Sequence, residues 1–491
     1  MKTKTICLLL AALMLLLALS ACGENTPSVT TNPDDTQITT ESPATSTEYV
    51  EQLVLPDDHK YNGSTFTILC TANMANPPTP FKENSGYSEI INEAVYQRNA
   101  KIEDSFDVVI ELIEEYSLAV GPTVTRFIAN RTSGDTMYDS SLIAVQEASQ
   151  LAYQGYLSDL GDMPYVCLEK SWWDQNANKE ISIFGKTYYT TGDISFSDKE
   201  YTFSVVFNKD LAKEKNIEDL YALVREGKWT LDKLSELSQL VSEDLDGNDI
   251  LDQNDQYGLM VWAQGLVTMI HGSGNSIARI DENDQFVLSL NNETCASVTT
   301  DFVKLLNEPS SVNFQSSKAI EGSWMTMVKN NQVLFLLQYL KAVPLLRDSE
   351  IPFGILPVPK YTESQDRYHC GITNLTAMYS VPADIADEEM SGVLSEAMAS
   401  YSQKTVTPAY IERAVKGLYV SDEESVETLE LIFANRLYDL GTFYRLGALN
   451  TMLGNIVMSK NDTFASDYGR YSIAAEKMAN QINDFFQSSN D

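Results

Sequence analysis

The sequence predicts an α/β protein carried outside the cytoplasm, on three observations. First, Lys2 and Lys4 precede an apolar run from Ile6 to Leu19 that closes in Leu19-Ser20-Ala21-Cys22. A basic start, a short apolar stretch and small residues before a cut make a secretory signal peptide, too short and one-sided for a transmembrane helix. Second, residues 23 to about 50 are mostly Thr, Ser, Pro, Asn and Asp, with almost nothing large and apolar. Such a segment buries no core and is expected to be a disordered stalk. Third, strand-like and helix-like periodicities alternate from Thr65 onward, which is the pattern of a largely parallel sheet covered by helices.

The elements follow in order. Thr65-Phe66-Thr67-Ile68-Leu69 reads as a strand after the turn residues Asn62-Gly63. Ile91, Ala94, Val95 and Ile102 share one helix face, and Val108, Ile110 and Leu112 alternate as a second strand. A helix is read around Arg126 to Asn130, and Met137-Tyr138-Asp139 leads into the apolar Leu142-Ile143-Ala144-Val145. Lys186 to Asp193 and Tyr201 to Lys209 read as a strand pair leaving this first region. Short helices follow, one ending near Gly227. Another starts at Thr230, placed to cap it, with Asp232 favouring the dipole in the first turn. Arg279-Ile280 and Phe286-Val287-Leu288 flank a polar turn as a hairpin. A helix spans about Lys318 to Lys329, and the continuous apolar run Val333 to Leu337 predicts a buried strand. Ile351 to Pro359 is extended and broken by prolines. The remainder is mainly helical, with Ala475, Met478, Ala479, Ile482 and Phe486 on one face of the last helix.

Composition narrows the function. A length of 491 residues allows two large domains or about three ordinary ones. Asp and Glu number 69 against 34 Lys and Arg, a net charge of −35, and no basic run offsets it. Nucleic acid is therefore not an expected partner. Of six cysteines, Cys7 leaves with the signal peptide and Cys22 sits at the cut. Cys70, Cys167, Cys295 and Cys370 are far apart with no CxxC, which predicts buried free thiols rather than a disulfide scaffold. His59, His271 and His369 lack metal-ligand spacing, so no zinc site is expected. There is no P-loop, GxSxG elbow or HExxH.

The small-small-Cys ending resembles the bacterial lipobox. That resemblance implies removal of residues 1–21, acylation of Cys22, and a lipid-anchored protein on the extracytoplasmic face of the cell membrane, lifted by the stalk of residues 22–50.

A second resemblance covers nearly all of the mature chain. Its motifs are Ile91-Asn-Glu-Ala-Val-Tyr-Gln-Arg-Asn99, Tyr138-Asp139, Leu157-Ser-Asp-Leu160 and Trp172-Trp173-Asp174. Phe207-Asn208-Lys209-Asp210, Gly227-Lys228-Trp229-Thr230 and Asp255-Gln256-Tyr257-Gly258 follow. Asn331-Gln332-Val333-Leu334-Phe335 and Leu356-Pro357-Val358-Pro359 complete the series. In this order they resemble the extracellular solute-binding proteins of ABC importers, in family 1, related to maltose-binding protein. The resemblance implies a two-lobed periplasmic-binding-protein-like fold (class II), its lobes exchanging strands through a hinge around a ligand cleft. Residues 51–195 with about 331–365 would form lobe 1, and 196–330 with about 366–491 lobe 2. It further implies a monomer that is not an enzyme, with a sugar, an oligosaccharide, as ligand and an ABC transporter permease as partner. A peptide-binding receptor, a surface glycoside hydrolase and a lipid-anchored adhesin are the alternatives.

Two constellations are candidate sites. Trp172, Trp173, Tyr188, Tyr189, Trp262 and Trp324 offer flat faces for a sugar ring, with Asp174 and Asp193 as acceptors for its hydroxyls. The competing reading makes each of them a core residue. If residues 172–173 are extended, at most one of the two indoles can face the ligand. The other constellation is an acidic loop. Asp244, Asp246, Asn248, Asp252 and Asp255 fall at positions 1, 3, 5, 9 and 12, with the Ile250 carbonyl at 7. That is the spacing of a calcium loop, with Asp249 at the turn position usually held by Gly and a short Asp255 where Glu is usual. The alternative is a plain acidic turn. A bound calcium would be structural, since nothing places a nucleophile beside it.

Overall fold

The structure, a computed structural model, describes residues 53–55, 59–73, 81–83, 88–117, 121–346, 348–416 and 423–488. The expectations for the signal peptide, Cys22 and the stalk lie outside the described residues.

In chain order the strands are β1 (Ser64–Asn73), β2 (Val108–Ser117), β3 (Ser140–Ala144), β4 (Tyr189–Thr190) and β5 (Phe203–Asn208). Then come β6 (Ser242–Glu243), β7 (Gln256–Val261), β8 (Ala278–Ile280), β9 (Phe286–Leu288) and β10 (Ser311–Asn313). Last are β11 (Val333–Tyr339), β12 (Phe353–Leu356), β13 (Cys370–Gly371), β14 (Ala377–Ser380) and β15 (Arg436–Leu437). They build two main sheets, ordered β2-β1-β3-β14-β4 and β10-β7-β11-β5-β12, with β6 beside β7.

The first sheet is parallel through β2, β1 and β3, because helices make each crossover. The helix Glu89–Phe106 buries Ile91, Val95, Ile102 and Phe106 at helical spacing and stops where Asp107 turns left-handed at φ 50°. Phe66, Ile68, Leu142 and Tyr379 of the sheet pack with Val393, Leu394 and Ala397 of the helix Glu388–Lys404. In the second sheet β7, β10, β11 and β12 share one direction, while β5 and the short β6 run against them. Every residue from Val333 to Gln338 is buried, as a continuous apolar run at the centre of a covered sheet should be. Thr230 caps its helix by accepting from the Lys233 amide at 3.2 Å, and β8 and β9 form the expected hairpin.

The strand exchange differs from expectation. The strands within 331–365 pair in the second sheet, where β11 and β12 flank β5. The chain returns to the first sheet later, with β14 between β3 and β4. The cause is local. The helix Lys318–Lys329 joins β10 to β11 by a short crossover, which keeps both in one sheet. The strand pair expected across residues 186–209 is likewise divided, β4 closing the first sheet and β5 opening the second.

Residues 191–202 and 372–376 are thus the crossings between sheets. They touch, with Thr202 bridged to Ile372 and the Thr373 amide donating to Tyr201 O at 3.0 Å. Gly192 begins the first crossing against the Trp172-Trp173 backbone. A Cβ there would stand 2.3 Å from Trp172 O and 2.8 Å from Trp173 Cα, so only glycine fits. Cys70, Cys295 and Cys370 are buried free thiols, and Cys167 is a half-buried one. Among the described residues no helix is long and apolar enough to cross a membrane.

Candidate functional site

In open α/β sheets ligands bind beyond the carboxyl ends of parallel strands, where the following helices begin. Here the helix Val145–Ala152 starts directly after β3, and the helix Gly265–Gly272 starts just after β7. A cavity of about 720 Å³ opens at these two helix starts, lined by Gln146 from the first and Ala263 and Gln264 from the second. Asn374 of the crossing and Thr442, Arg445, Asn450 and Asn455 of the C-terminal helices complete its polar wall. The cavity is therefore walled by residues following strands of both sheets. A smaller cavity of about 240 Å³ shares Gln146 and Arg445 with it and adds Tyr153 and Tyr444.

The wall between the helices Leu440–Phe443 and Leu449–Ser459 has an unusual backbone. Arg445 and Ala448 are left-handed at φ 53° and 60°, each costing roughly 1–2 kcal/mol for a residue with a Cβ. Between them Gly447, at φ 54°, lies so close to Ala475 that an added Cβ would stand 2.6 Å from its Cβ. Strain held in place by packing is characteristic of ligand clamps.

Aromatic rings gather at the same end of the second sheet. Trp262 follows β7, Phe314 follows β10, and Tyr339 ends β11. Trp262 stacks on Phe314 with centroids 6.3 Å apart, and Phe314 stacks on Trp324 at 5.0 Å. Tyr339 meets Trp262 edge-on at 5.6 Å. Trp262 and Trp324 are half-buried. The Trp262 indole N–H is buried and has no hydrogen-bond partner among the described residues.

The other sequence candidates lie elsewhere. Trp172 and Trp173 were expected to offer a stacking face, but each is 1 % exposed. Both indoles turn inward, donating to the Glu396 carboxylate at 2.9 and 2.8 Å. Asp174 was expected to take sugar hydroxyls. It instead caps the helix Gln175–Ile181 and pairs with Arg436. Burial pushes its carboxyl up, but Arg436 and the Ala177 amide together hold it below the usual range. Asp193 accepts from Thr407 at 2.7 Å beside Lys199. Tyr189 is buried and accepts from Ser149 at 3.1 Å, and Tyr188 packs edge-on against Phe486. All six make their contacts within the fold, on a segment, 172–193, that packs against and contributes β4 to the first sheet. The wall residues Gln146, Gln264, Asn374, Arg445 and Asn450 had no sequence signal. They are single polar residues at element starts, assembled from across the chain.

The acidic loop folds into successive Asx turns. Asp244 accepts from the Gly247 and Asp249 amides, both at 2.7 Å. These contacts, Asp249 first, hold its carboxyl below the usual range. Asp249 is left-handed at φ 63°. Carboxylate oxygens of Asp244, Asp246 and Asp255 lie within 4.8 Å of one another, while Asp252 stands outside that group. Asp255 is buried and accepts from the Leu245 and Asp252 amides.

No protein-family model and no curated protein sequence matches the chain. Solved structures do. The galacto-N-biose/lacto-N-biose I-binding protein of an ABC transporter from Bifidobacterium longum has a TM-score of 0.59 at 10% identity, covering 86% of this chain and 98% of that one. The cyclic α-maltosyl-1,6-maltose-binding protein from Arthrobacter globiformis has a TM-score of 0.57 at 13% identity, covering 86% and 100%. An ABC substrate-binding protein from Listeria monocytogenes, solved with cycloalternan, has a TM-score of 0.54 at 12% identity, covering 87% and 99%. The chain therefore has the two-sheet, strand-exchanging α/β fold of ABC sugar-binding proteins, and these neighbours are binding proteins rather than enzymes.

Proposed function

We propose that this chain is an extracytoplasmic receptor that captures a sugar, an oligosaccharide, and delivers it to an ABC transporter permease. The observation that carries this reading is the cavity of about 720 Å³ with amide and hydroxyl side chains at the helix starts of both sheets. That size and polarity suit a small ligand, and the Trp262–Phe314–Trp324 stack supplies ring faces nearby. A sugar touching both walls favours the closed arrangement of the two halves by its differential affinity. The ligands of the structural neighbours, lacto-N-biose and cycloalternan among them, are in keeping with a sugar.

Calorimetry tests the reading. Trp262→Ala is expected to weaken sugar binding by about 2 kcal/mol or more while the fold survives. Trp229 is fully buried, with its indole donating to Pro357 O at 2.9 Å. Trp229→Ala should instead lose about 3–5 kcal/mol of stability. Equal loss of stability in both variants, with affinity untouched, would remove Trp262 from the site. Melting shifts with peptides and none with sugars would favour the peptide receptor, and product release would favour a glycoside hydrolase. On the same reading acyl groups on Cys22 hold the protein to the membrane. A Cys22→Ser variant that still partitions with membranes would sink that anchor.

We also propose that the acidic loop holds one structural calcium. Asp244, Asp246 and Asp255 converge as positions 1, 3 and 12 require. Asn248, the Ile250 carbonyl and Asp252 would complete the set. Calcium binding only the folded state should raise the melting temperature, and Asp244→Ala with Asp246→Ala should abolish the rise. Identical wild-type melting in excess chelator and in calcium would refute the site.

A further inference from the structure

We infer that the sugar taken by this cleft is anionic, a uronate-bearing oligosaccharide whose carboxylate sits between Arg445 and the start of the helix Leu449–Ser459. The inference rests on the receptor reading above and narrows its substrate class.

The charge distribution comes first. The chain has 69 acidic residues, yet no carboxylate side chain is among the described residues lining either cavity. Among the described residues Arg445 is the one charged residue on those walls, and it belongs to both. Arg225, Arg436 and Arg470 pair with carboxylates, whereas Arg131 and Arg279 donate to backbone carbonyls. Among the described residues no carboxylate pairs with Arg445. Arg445 is exposed on an open cavity wall that carries no carboxylate, and its planar fork suits an anionic group such as a carboxylate.

The helix ends add to this. The helices Val145–Ala152, Gly265–Gly272 and Leu449–Ser459 present their starts to the cavity, and none has a side-chain cap. Several helices that start elsewhere are capped, by Asp174, Asn208, Thr230, Asn292 or Ser317, although Glu89–Phe106, Pro122–Ser133 and Ser197–Glu200 are not. Uncapped amides and the positive dipole end favour negative charge.

An independent observation points to a ligand at the same place. Gln146 is only 8 % exposed and lines both cavities, and no hydrogen bond reaches its amide among the described residues. The rest of the side chain is enclosed, so its amide is presented to whatever occupies the cavity. Gln264, Asn374 and Asn450 would take the ring hydroxyls, which a bare phosphate or sulfate ion would leave unused.

The test is calorimetry on the full chain with trigalacturonate and with glucuronate- and mannuronate-containing oligosaccharides, each beside its carboxyl-reduced form. Inorganic sulfate serves as a competitor. At least one uronate oligosaccharide should bind, and carboxyl reduction should weaken it about tenfold or more. Its Kd should rise when salt goes from about 0.05 M to about 0.5 M. Arg445→Gln should erase the difference between acidic and reduced forms without changing the melting temperature of the free protein, and Arg445→Lys should restore part of it. Equal binding of acidic and reduced forms, or a preference that survives Arg445→Gln, would overturn the inference. Tight binding of neutral sugars alone would overturn this inference and leave the receptor reading standing. Binding by no sugar, acidic or neutral, would overturn both. Binding of sulfate alone, with no uronate bound, would mark an adventitious ion only and would also overturn it.

Discussion

Arg436→Met is expected to cost about 3–5 kcal/mol of folding stability, read as a lower urea midpoint with an unchanged slope. Arg436 begins β15 and is buried where the two sheets meet. It pairs with Asp174, and its Nη1 lies 3.0 Å from Asp198 Oδ2 in an ion pair outside hydrogen-bond alignment. Asp198 belongs to the short helix Ser197–Glu200 inside the first crossing and is fully buried. Removing the cation leaves two buried carboxylates with one lysine nearby, Lys199, at 3.7 Å from Asp198. The large effect comes from these orphaned charges rather than from a large net worth of the ion pair. Adding Asp174→Asn and Asp198→Asn should therefore recover much of the loss. Asp174 has a depressed folded pKa. Its contribution is present above the unfolded carboxylate value of about 3.9 and is lost as pH falls through the folded value. A change in midpoint below about 0.5 kcal/mol, the range of ordinary surface substitutions, would contradict the burial of this network.

Glu396→Ala should cost about 3 kcal/mol or more, because it strands two buried indole donors at roughly 1–3 kcal/mol each and a half-buried amide. These are the Trp172 and Trp173 indoles and the Cys167 amide, which donates to Oε2 at 3.2 Å. Glu396→Gln should lose less, since its carbonyl keeps one indole. Burial pushes the Glu396 carboxyl up to about 7, with the Trp173 indole, the Cys167 amide and the Trp172 indole pulling it back. A folded value above the unfolded one of about 4.3 gives a contribution that is full at low pH and is lost as pH rises toward 7. The wild type should accordingly lose stability relative to Glu396→Gln across that window. A difference that stays flat from pH 4.5 to pH 7 would refute the shift.

Much of the fold was legible because it depends on local patterns. The helix faces at Ile91–Ile102 and Ala475–Phe486, the Thr230 cap, the β8–β9 hairpin and the apolar run of β11 are set by spacing within a few residues. An apolar run also states that its strand is buried, but not in which sheet, and the exchange between sheets was misassigned for that reason. Aromatic residues carry the same ambiguity. Trp172 and Trp262 look alike in sequence, yet one is sealed under Glu396 and the other stands at an open strand end.

By itself the sequence determined the α/β class, the order of elements and an acidic loop spaced for a hard cation. These follow from periodicities and fixed offsets along one stretch of chain. Only the tertiary structure decided where a ligand would go. Gln146, Gln264, Asn374 and Arg445 meet at one cavity because strands of two sheets end there and the crossings bring distant helix starts together. No local pattern marks such residues. Their selectivity comes from being the polar groups that the fold leaves open where the two halves face each other.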